Sequence, residues 1–90
     1  MALNDAGEVD ATLRATLTDV LGLPHDRVAT FTGTTPLFGA MPEFDSMAVA
    51  SVLTALEERL AIFIEDDEVD AELFETYGNL LAFMERKTLG

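Results

Sequence analysis

The fold of this chain is decided by residues 45–60, which read Asp45-Ser46-Met47-Ala48-Val49-Ala50-Ser51-Val52-Leu53-Thr54-Ala55-Leu56-Glu57-Glu58-Arg59-Leu60. Apolar residues recur along this stretch at spacings of three and four, which is the repeat of an α-helix with one buried face. That face consists of Val49, Leu53, Leu56 and Leu60, with Val52 beside them. Asp45 precedes the repeat and is a suitable N-cap, because its carboxylate accepts hydrogen bonds from the first turn. The pattern therefore predicts a helix over Ser46–Leu60.

A second helix is predicted over residues 8–21, where the apolar stripe consists of Val9, Leu13, Leu17, Val20 and Leu21. Gly22 and Pro24 end this helix, and residues 1–7 before it are expected to form a flexible tail. The connection over residues 23–44 is long, and ordered loops of that length are usually functional. Its scattered apolar residues indicate that it packs onto the helices, with room for a short helical turn.

Beyond the decisive helix, residues 61–64 are expected to form an extended connector that buries Ile62 and Ile64. A short helix is predicted over residues 70–76, with Leu73 and Phe74 facing inward. A last helix is predicted over residues 77–87 and buries Leu80, Leu81 and Met84, with residues 88–90 as a tail. The sequence thus predicts an all-α fold, a small four-helix bundle of three main helices and one short one with a long first loop, in one domain over residues 8–87.

Composition excludes several functional classes. The 90 residues include 17 acidic and 5 basic side chains, a net charge of -12, and no cysteine. A strongly negative chain repels phosphate backbones, so we expect no nucleic-acid partner and instead partners with basic surfaces. Without cysteine there is no thiol nucleophile. No apolar run is long enough to span a membrane, and residues 1–7 lack the features of a secretory signal, so a cytoplasmic protein is expected.

Three groups of polar residues are candidates for functional sites. His25 is the sole histidine, and a solvated loop position is the favoured interpretation. The acidic run 65–70 fails the calcium-loop pattern from Asp66, because position six is Ala71 and position twelve is Tyr77, so no metal site is predicted. Glu57 and Glu58 are neighbours on a helix and point about 100° apart. They do not converge on one substrate atom, so no catalytic residue and no enzyme is predicted.

Ser46 is the most informative polar residue. On its own, Asp45-Ser46 is an ordinary helix start. However, the serine follows the long loop and opens the strongest helix, where N–H groups and the positive end of the dipole suit a phosphate group. A phosphodiester on this hydroxyl would also explain how a chain without cysteine could acquire a thiol.

With these residues in view, the chain resembles the acyl carrier proteins over residues 8–87. Asp45-Ser46-Met47 is similar to the family's Asp-Ser-Leu attachment motif. The helix end Leu56-Glu57-Glu58, followed by Ile62 and Ile64, is similar to the family's Leu-Glu-Glu and Ile-x-Ile elements. The segment Thr76-Tyr77-Gly78-Asn79-Leu80 resembles the family's entry to its last helix. Three motifs in order and at family spacing make the resemblance specific.

The resemblance implies roles for several residues. Ser46 would carry a 4′-phosphopantetheine arm, transferred from coenzyme A by a phosphopantetheinyl transferase, and the arm's thiol would hold acyl groups as thioesters. Asp45 would flank the attachment site. Met47, Glu57 and Glu58 would contact partners, namely an acyl-loading ligase or synthase and an acyltransferase with basic surfaces. The family likeness also implies a monomer that delivers cargo to other enzymes.

The chain departs from the family pattern near Ser46. Met47 replaces the commoner leucine, and Ala48 and Ser51 stand where fatty-acid carriers usually have acids. The lead over residues 37–44 is more similar to specialised carriers encoded with exopolysaccharide or exosortase systems. The alternative interpretation is an acidic helical adaptor with the carrier fold and no arm. A hydrolase using Glu57 or Glu58 has the least support.

Overall fold

The computed structural model describes residues 6–89 and has an all-helical architecture within them. Its helices are α1 (Ala6–Leu21), α2 (His25–Ala29), α3 (Ser46–Leu60) and α4 (Tyr77–Leu89), with one 3₁₀ turn at Asp66–Glu68. The predicted all-α class and the four-helix arrangement are confirmed. Helix α1 packs against the other three helices, so it forms the centre of the bundle.

The predicted boundaries of the main helices hold to within two residues. Helix α3 spans Ser46–Leu60 as predicted. Helix α1 begins at Ala6, so residues 6 and 7 are helical and not part of a tail, whereas the rest of the predicted tail lies outside the described residues. Helix α4 continues to Leu89, so residues 88 and 89 are helical and not part of the predicted C-terminal tail. Its last turn contains Arg86 and Lys87, whose positive charges favour the C-terminal end of a helix dipole.

The apolar stripes predicted from the sequence line a single core. Val9, Leu13 and Leu17 of α1 are fully buried, as are Val52 and Leu56 of α3. The flanking members of each stripe are half-buried and pack on the edge of the core, namely Val20, Leu21, Val49, Leu53, Ile62 and Leu81. Burying one such large apolar side chain is worth about 1.5–3 kcal/mol, so these contacts supply most of the driving force for folding.

The short helix lies in a different place from the one predicted. Residues 70–76 form turns, although Leu73 and Phe74 are buried as expected. The prediction of a helix there was wrong, because the carbonyl oxygens of Phe74 and Glu75 accept hydrogen bonds from the backbone of the first loop. The N–H of Phe38 donates to Phe74 at 2.8 Å, and the N–H of Leu37 donates to Glu75 at 3.1 Å. The short helix is instead α2, which lies in the first loop, where the sequence left room for a helical turn.

Arg14 fastens the long first connection onto the bundle. From α1, its guanidinium donates to the carbonyl oxygens of Val28 at 2.6 Å and Phe31 at 3.0 Å. It also pairs with Asp10 and lies 4.8 Å from the centre of the Tyr77 ring. The Tyr77 hydroxyl donates to Asp10 at 2.6 Å, and burial, followed by that carboxylate, raises the pKa of Tyr77 well above its usual range. This network joins α1, the loop and α4.

Candidate functional site

Ser46 is the first residue of α3 and is exposed. Asp45 is the N-cap in an extended conformation, and its carboxylate accepts the N–H of Ala48 at 2.8 Å, as predicted from the sequence. This capping hydrogen bond fixes the start of the helix, so that Ser46 follows the N-cap as the first helical residue. The Ser46 hydroxyl therefore lies at the positive end of a helix of 15 residues, where an attached phosphate would be stabilised.

An apolar cleft of about 340 Å³ opens beside Ser46. It lies between the first loop, α3 and the segment that precedes α4, and it is lined by Phe38, Ser46, Val49, Val69, Asp70, Ala71 and Phe74. Its volume is within the range of ligand pockets, which is roughly 300–1,000 Å³. The hydrogen bonds from residues 37 and 38 to residues 74 and 75 hold two of its walls together.

Two large apolar side chains flank the serine and are exposed to solvent. Met47 is 81% exposed and follows Ser46 on α3, whereas Phe38 is 48% exposed and lines the cleft. Met47 was predicted as a contact residue from the sequence. Phe38 was not, because an apolar residue in a loop that packs down is expected to be buried. The left-handed backbone of Gly39, with φ of 88°, accompanies the turn that leaves Phe38 outside the core.

Glu57 and Glu58 have different environments. Glu58 is exposed at the edge of a shallow groove on the outer side of α3. The carboxylate of Glu57 is half-buried and accepts the N–H of Ile64 at 2.8 Å. Both carboxylates were expected to contact partners, but that of Glu57 already holds the extended connector, whose backbone returns to the end of α3.

The acids nearest Ser46 are held by intramolecular partners. Glu43 pairs with Arg27 at 2.9 Å. Its own backbone N–H and then the Arg27 guanidinium hold the pKa of Glu43 below its usual range. Asp70 lines the cleft and accepts the N–H of Leu73 at 3.0 Å. The surface around the serine is therefore less available to basic partners than the net charge of -12 suggests.

Apart from Asp70, the remaining sequence candidates are not among the residues that line the cleft beside Ser46. His25 is exposed at the start of α2. Within the acidic run, Asp66–Glu68 form the 3₁₀ turn, in which the Glu68 carboxylate accepts the N–H of Glu65 at 2.9 Å and pairs with Lys87 at 3.0 Å. Within residues 6–89, the structure contains no cluster of three acidic, histidine or cysteine side chains arranged to hold a metal ion.

The residues at the start of α3 suit a phosphopantetheine arm. The exposed hydroxyl at a helix N-terminus offers an oxygen for a phosphodiester, and the apolar cleft beside it offers a surface to the groups attached beyond the phosphate. When bound, such an arm supplies a thiol, which this chain otherwise lacks because it has no cysteine.

Comparisons with known proteins agree with this geometry. Residues 11–85 match the family model described as phosphopantetheine attachment site. The chain is similar to a holo acyl carrier protein from Nitrosomonas europaea, solved in solution by NMR, with 47% identity and a TM-score of 0.77. That likeness covers 88% of this chain and 93% of the other. A comparison with curated proteins finds no match.

The family match covers most of the bundle, and the structural match extends over nearly all of it. None of the described helices combines the length and apolar character that crossing a bilayer requires. Carrier proteins of this kind hold cargo for other enzymes, and the interpretation as an adaptor without an arm is not favoured. The chain belongs to the acyl carrier proteins, which carry acyl groups on a covalently attached 4′-phosphopantetheine arm.

Proposed function

We propose that Ser46 is the residue to which the 4′-phosphopantetheine arm is attached. The observation that carries this proposal is the position of an exposed serine hydroxyl at the N-terminus of α3, beside an apolar cleft. Asp45 supports the site indirectly, because its cap on Ala48 fixes the first turn on which the serine lies.

The chain offers a matched control for this assignment, because it contains two serines, Ser46 and Ser51, both exposed on α3. The experiment incubates the protein with coenzyme A and a broad-specificity phosphopantetheinyl transferase and records the intact mass. We expect one arm on the wild type and on the Ser51→Ala variant, and none on Ser46→Ala. An arm on Ser46→Ala, or none on the wild type, would contradict the assignment.

We propose further that the arm delivers acyl groups between partners with basic surfaces: the transferase, an acyl-loading ligase or synthase, and an acyltransferase. The net charge of -12 supports such partners, since it attracts basic surfaces over a long range. Met47 and Glu58 are exposed along α3 and are proposed as contact residues. Glu57 contributes only through its charge, because its carboxylate also holds the N–H of Ile64.

We also propose that the carrier is a monomer in the cytoplasm and that residues 8–87 form its one domain. We propose further that it is of the type that serves exopolysaccharide or exosortase systems. The charge of -12 opposes self-association. The uncharged first turns of α3 and the lead over residues 37–44 support a specialised set of partners. Mass spectrometry of the carrier from its native cells would identify the arm-bound group. An ordinary series of fatty-acid synthesis intermediates would contradict the specialised pathway.

A further inference from the structure

Two exposed apolar side chains lie at the end of the bundle remote from Ser46. Among the described residues, the large apolar side chains that are exposed are Phe38, Met47, Phe63 and Leu89. Phe63 follows the C-terminal end of α3, and Leu89 is the last residue of α4. About 22 Å of helix separates Ser46 from the end of α3. We call the surface formed by residues 61–67 and 86–89 the far end.

The three long helices run in the same direction and end together. Arg59, in the last turn of α3, pairs with Asp19 near the end of α1 at 2.9 Å. Tyr77, the first residue of α4, donates its hydroxyl to Asp10 near the start of α1 at 2.6 Å, so α1 and α4 begin at the same end of the bundle. A helix C-terminus carries partial negative charge. The negative ends of three helix dipoles therefore lie at or beside the far end.

The backbone on both sides of Phe63 is fixed. The N–H of Ile62 donates to the carbonyl oxygen of Glu57 at 3.1 Å, and the N–H of Ile64 donates to the Glu57 carboxylate at 2.8 Å. Ile62 is half-buried and Ile64 is buried, whereas Phe63 between them is 69% exposed. An aromatic side chain on an ordered backbone loses little entropy on binding, and such side chains are typical anchors of protein interfaces.

The charge around Phe63 is negative. Three consecutive exposed acids follow it closely in the chain, namely Glu65, Asp66 and Asp67. The bases at this end are engaged within the molecule, because Arg59 and Lys87 are paired with acids and Arg86 lies over an aromatic ring. A partner that covers Phe63 therefore meets a negative rim, to which basic side chains are complementary.

We propose that the far end is a second docking surface, for a protein partner that offers an apolar pocket to Phe63 and basic side chains to its rim. Nucleic acid, an anionic membrane and a second copy of this chain, with its charge of -12, are all repelled. A partner bound there leaves Ser46 uncovered, so it can hold the carrier while another enzyme acts on the arm. Only this last consequence rests on the proposed attachment at Ser46.

The probe for this surface is a helical peptide of lysine and leucine, about 18 residues long and blocked at both ends, which presents an apolar face flanked by basic side chains. Its control is a lysine–serine peptide of the same length and charge. Binding to the isotope-labelled full chain is followed by NMR. We expect the largest chemical-shift changes in the far end, and binding of the lysine–serine peptide about tenfold weaker or worse. Equal binding of both peptides, or the largest changes around Ser46, would overturn the inference.

Variants assign the contact to the two side chains. Phe63→Ser should raise the Kd of the lysine–leucine peptide about tenfold and Leu89→Ser about threefold, because Leu89 is smaller and only 42% exposed. Phe38→Ser is the matched control at the opposite end and should change the Kd less than about twofold. The two far-end variants replace exposed side chains, and either one keeps the test valid if the other folds poorly. Equal Kd values for Phe63→Ser, Leu89→Ser and Phe38→Ser would contradict the proposal.

Two further measurements test the kind of occupant and the freedom of Ser46. Neutral phosphatidylcholine vesicles should not bind, and binding that Phe63→Ser abolishes would make a lipid surface the occupant instead. With the peptide saturating at about 0.3 M NaCl, kcat/KM for arm transfer from coenzyme A should stay within about twofold, because steering by charge is screened. A tenfold fall would show that the two surfaces are not separate. An arm on Ser46→Ala would remove the proposed attachment site but leave peptide binding at the far end unchanged, so the two failures are distinguishable.

Discussion

The carboxylate of Glu57 accepts a hydrogen bond from the backbone N–H of Ile64 at 2.8 Å. The backbone carbonyl oxygen of Glu57 also accepts the N–H of Ile62 at 3.1 Å, so one residue holds the connector after α3 at two points. An acid near a helix C-terminus opposes the helix dipole, and this bond explains its presence there. Through it, Ile64 is brought into the core, where it is 9% exposed.

Glu57 is therefore expected to affect folding more than its neighbour does. Glu57→Ala leaves the half-buried N–H of Ile64 without its acceptor, which should lower the free energy of unfolding by about 1–2 kcal/mol. Glu57→Gln keeps an acceptor oxygen and should recover much of the loss, whereas Glu58→Ala should change stability by less than about 0.5 kcal/mol. Urea unfolding of the three variants measures this. Equal losses in Glu57→Ala and Glu58→Ala would contradict the structural role.

Ala61 ends α3 in the left-handed conformation, with φ of 56° and ψ of 48°. A Cβ atom in that region costs roughly 1–2 kcal/mol, whereas glycine adopts it freely. Ala61→Gly should therefore raise the free energy of unfolding by about 0.5–1 kcal/mol after the larger entropy of the unfolded glycine chain is subtracted. The control is Ala55→Gly within the same helix, which should lower stability by about 1 kcal/mol. If thermal unfolding shows that Ala61→Gly and Ala55→Gly are both less stable than the wild type, the assignment of Ala61 as a left-handed cap is wrong.

Gly78 allows the first loop to lie directly on the start of α4. Its N–H donates to the carbonyl oxygen of Gly33 at 3.0 Å, and a Cβ on Gly78 would clash with that oxygen and come within 2.9 Å of the Gly33 Cα. Gly78→Ala should cost about 1–3 kcal/mol through this clash. A Cβ on Gly33 would meet nothing within 4 Å, so Gly33→Ala is the control and should be nearly neutral. Chemical denaturation measures the stability of both variants. Similar unfolding midpoints for Gly78→Ala and Gly33→Ala would contradict the close approach of the two backbones.

The sequence predicts those parts of the fold that are determined by the local spacing of apolar residues. The helices α1, α3 and α4 follow from apolar spacing, so their existence and buried faces are predicted within two residues. The turns over residues 70–76 are not, because their carbonyl oxygens are used by Leu37 and Phe38, more than thirty positions earlier in the chain. Hydrogen bonds between residues so far apart in the sequence cannot be predicted from the local spacing of apolar residues.

The candidate site divides in the same way. Asp45 and Ser46 are recognised from the sequence because capping and helix entry are local properties. The bond between Glu57 and Ile64 and the exposure of Phe38 depend on how distant backbone segments meet, so the sequence pattern treats Glu57 as a surface acid and Phe38 as a core residue. The cleft beside Ser46 likewise requires three segments to be assembled.

The members of the α3 stripe should not be equally important. Leu56 is fully buried, whereas Leu53 is half-buried at the core edge. Leu56→Ala removes core atoms and leaves a cavity, which should cost about 2–5 kcal/mol. Leu53→Ala serves as the matched control and should cost roughly half as much, because part of its side chain already contacts water. Unfolding free energies from urea titration measure both, and a larger loss for Leu53→Ala would show that the packing is different.

Glu68 makes stability depend on acidity. Its carboxylate accepts the backbone N–H of Glu65 at 2.9 Å and lies 3.0 Å from the Lys87 amine. That N–H first, and then Lys87, hold the pKa of Glu68 below its ordinary value of 4.5. Because the folded pKa is lower than the unfolded one, the contribution to stability is complete above about pH 4.5 and is lost as the pH falls further.

The whole molecule responds to acid in the opposite direction, because protonation reduces a net charge of -12 and relieves self-repulsion. A double-mutant cycle of Glu68→Gln and Lys87→Met separates the two effects, since the general repulsion is common to all four proteins and largely cancels. We expect a favourable coupling between the residues at about pH 7 that disappears by about pH 3, where carboxylates are protonated. Melting curves of the wild type, the two single variants and the double variant supply four free energies of unfolding at each pH. A coupling that persists in acid would mean that the contact between these side chains does not depend on the charge of Glu68.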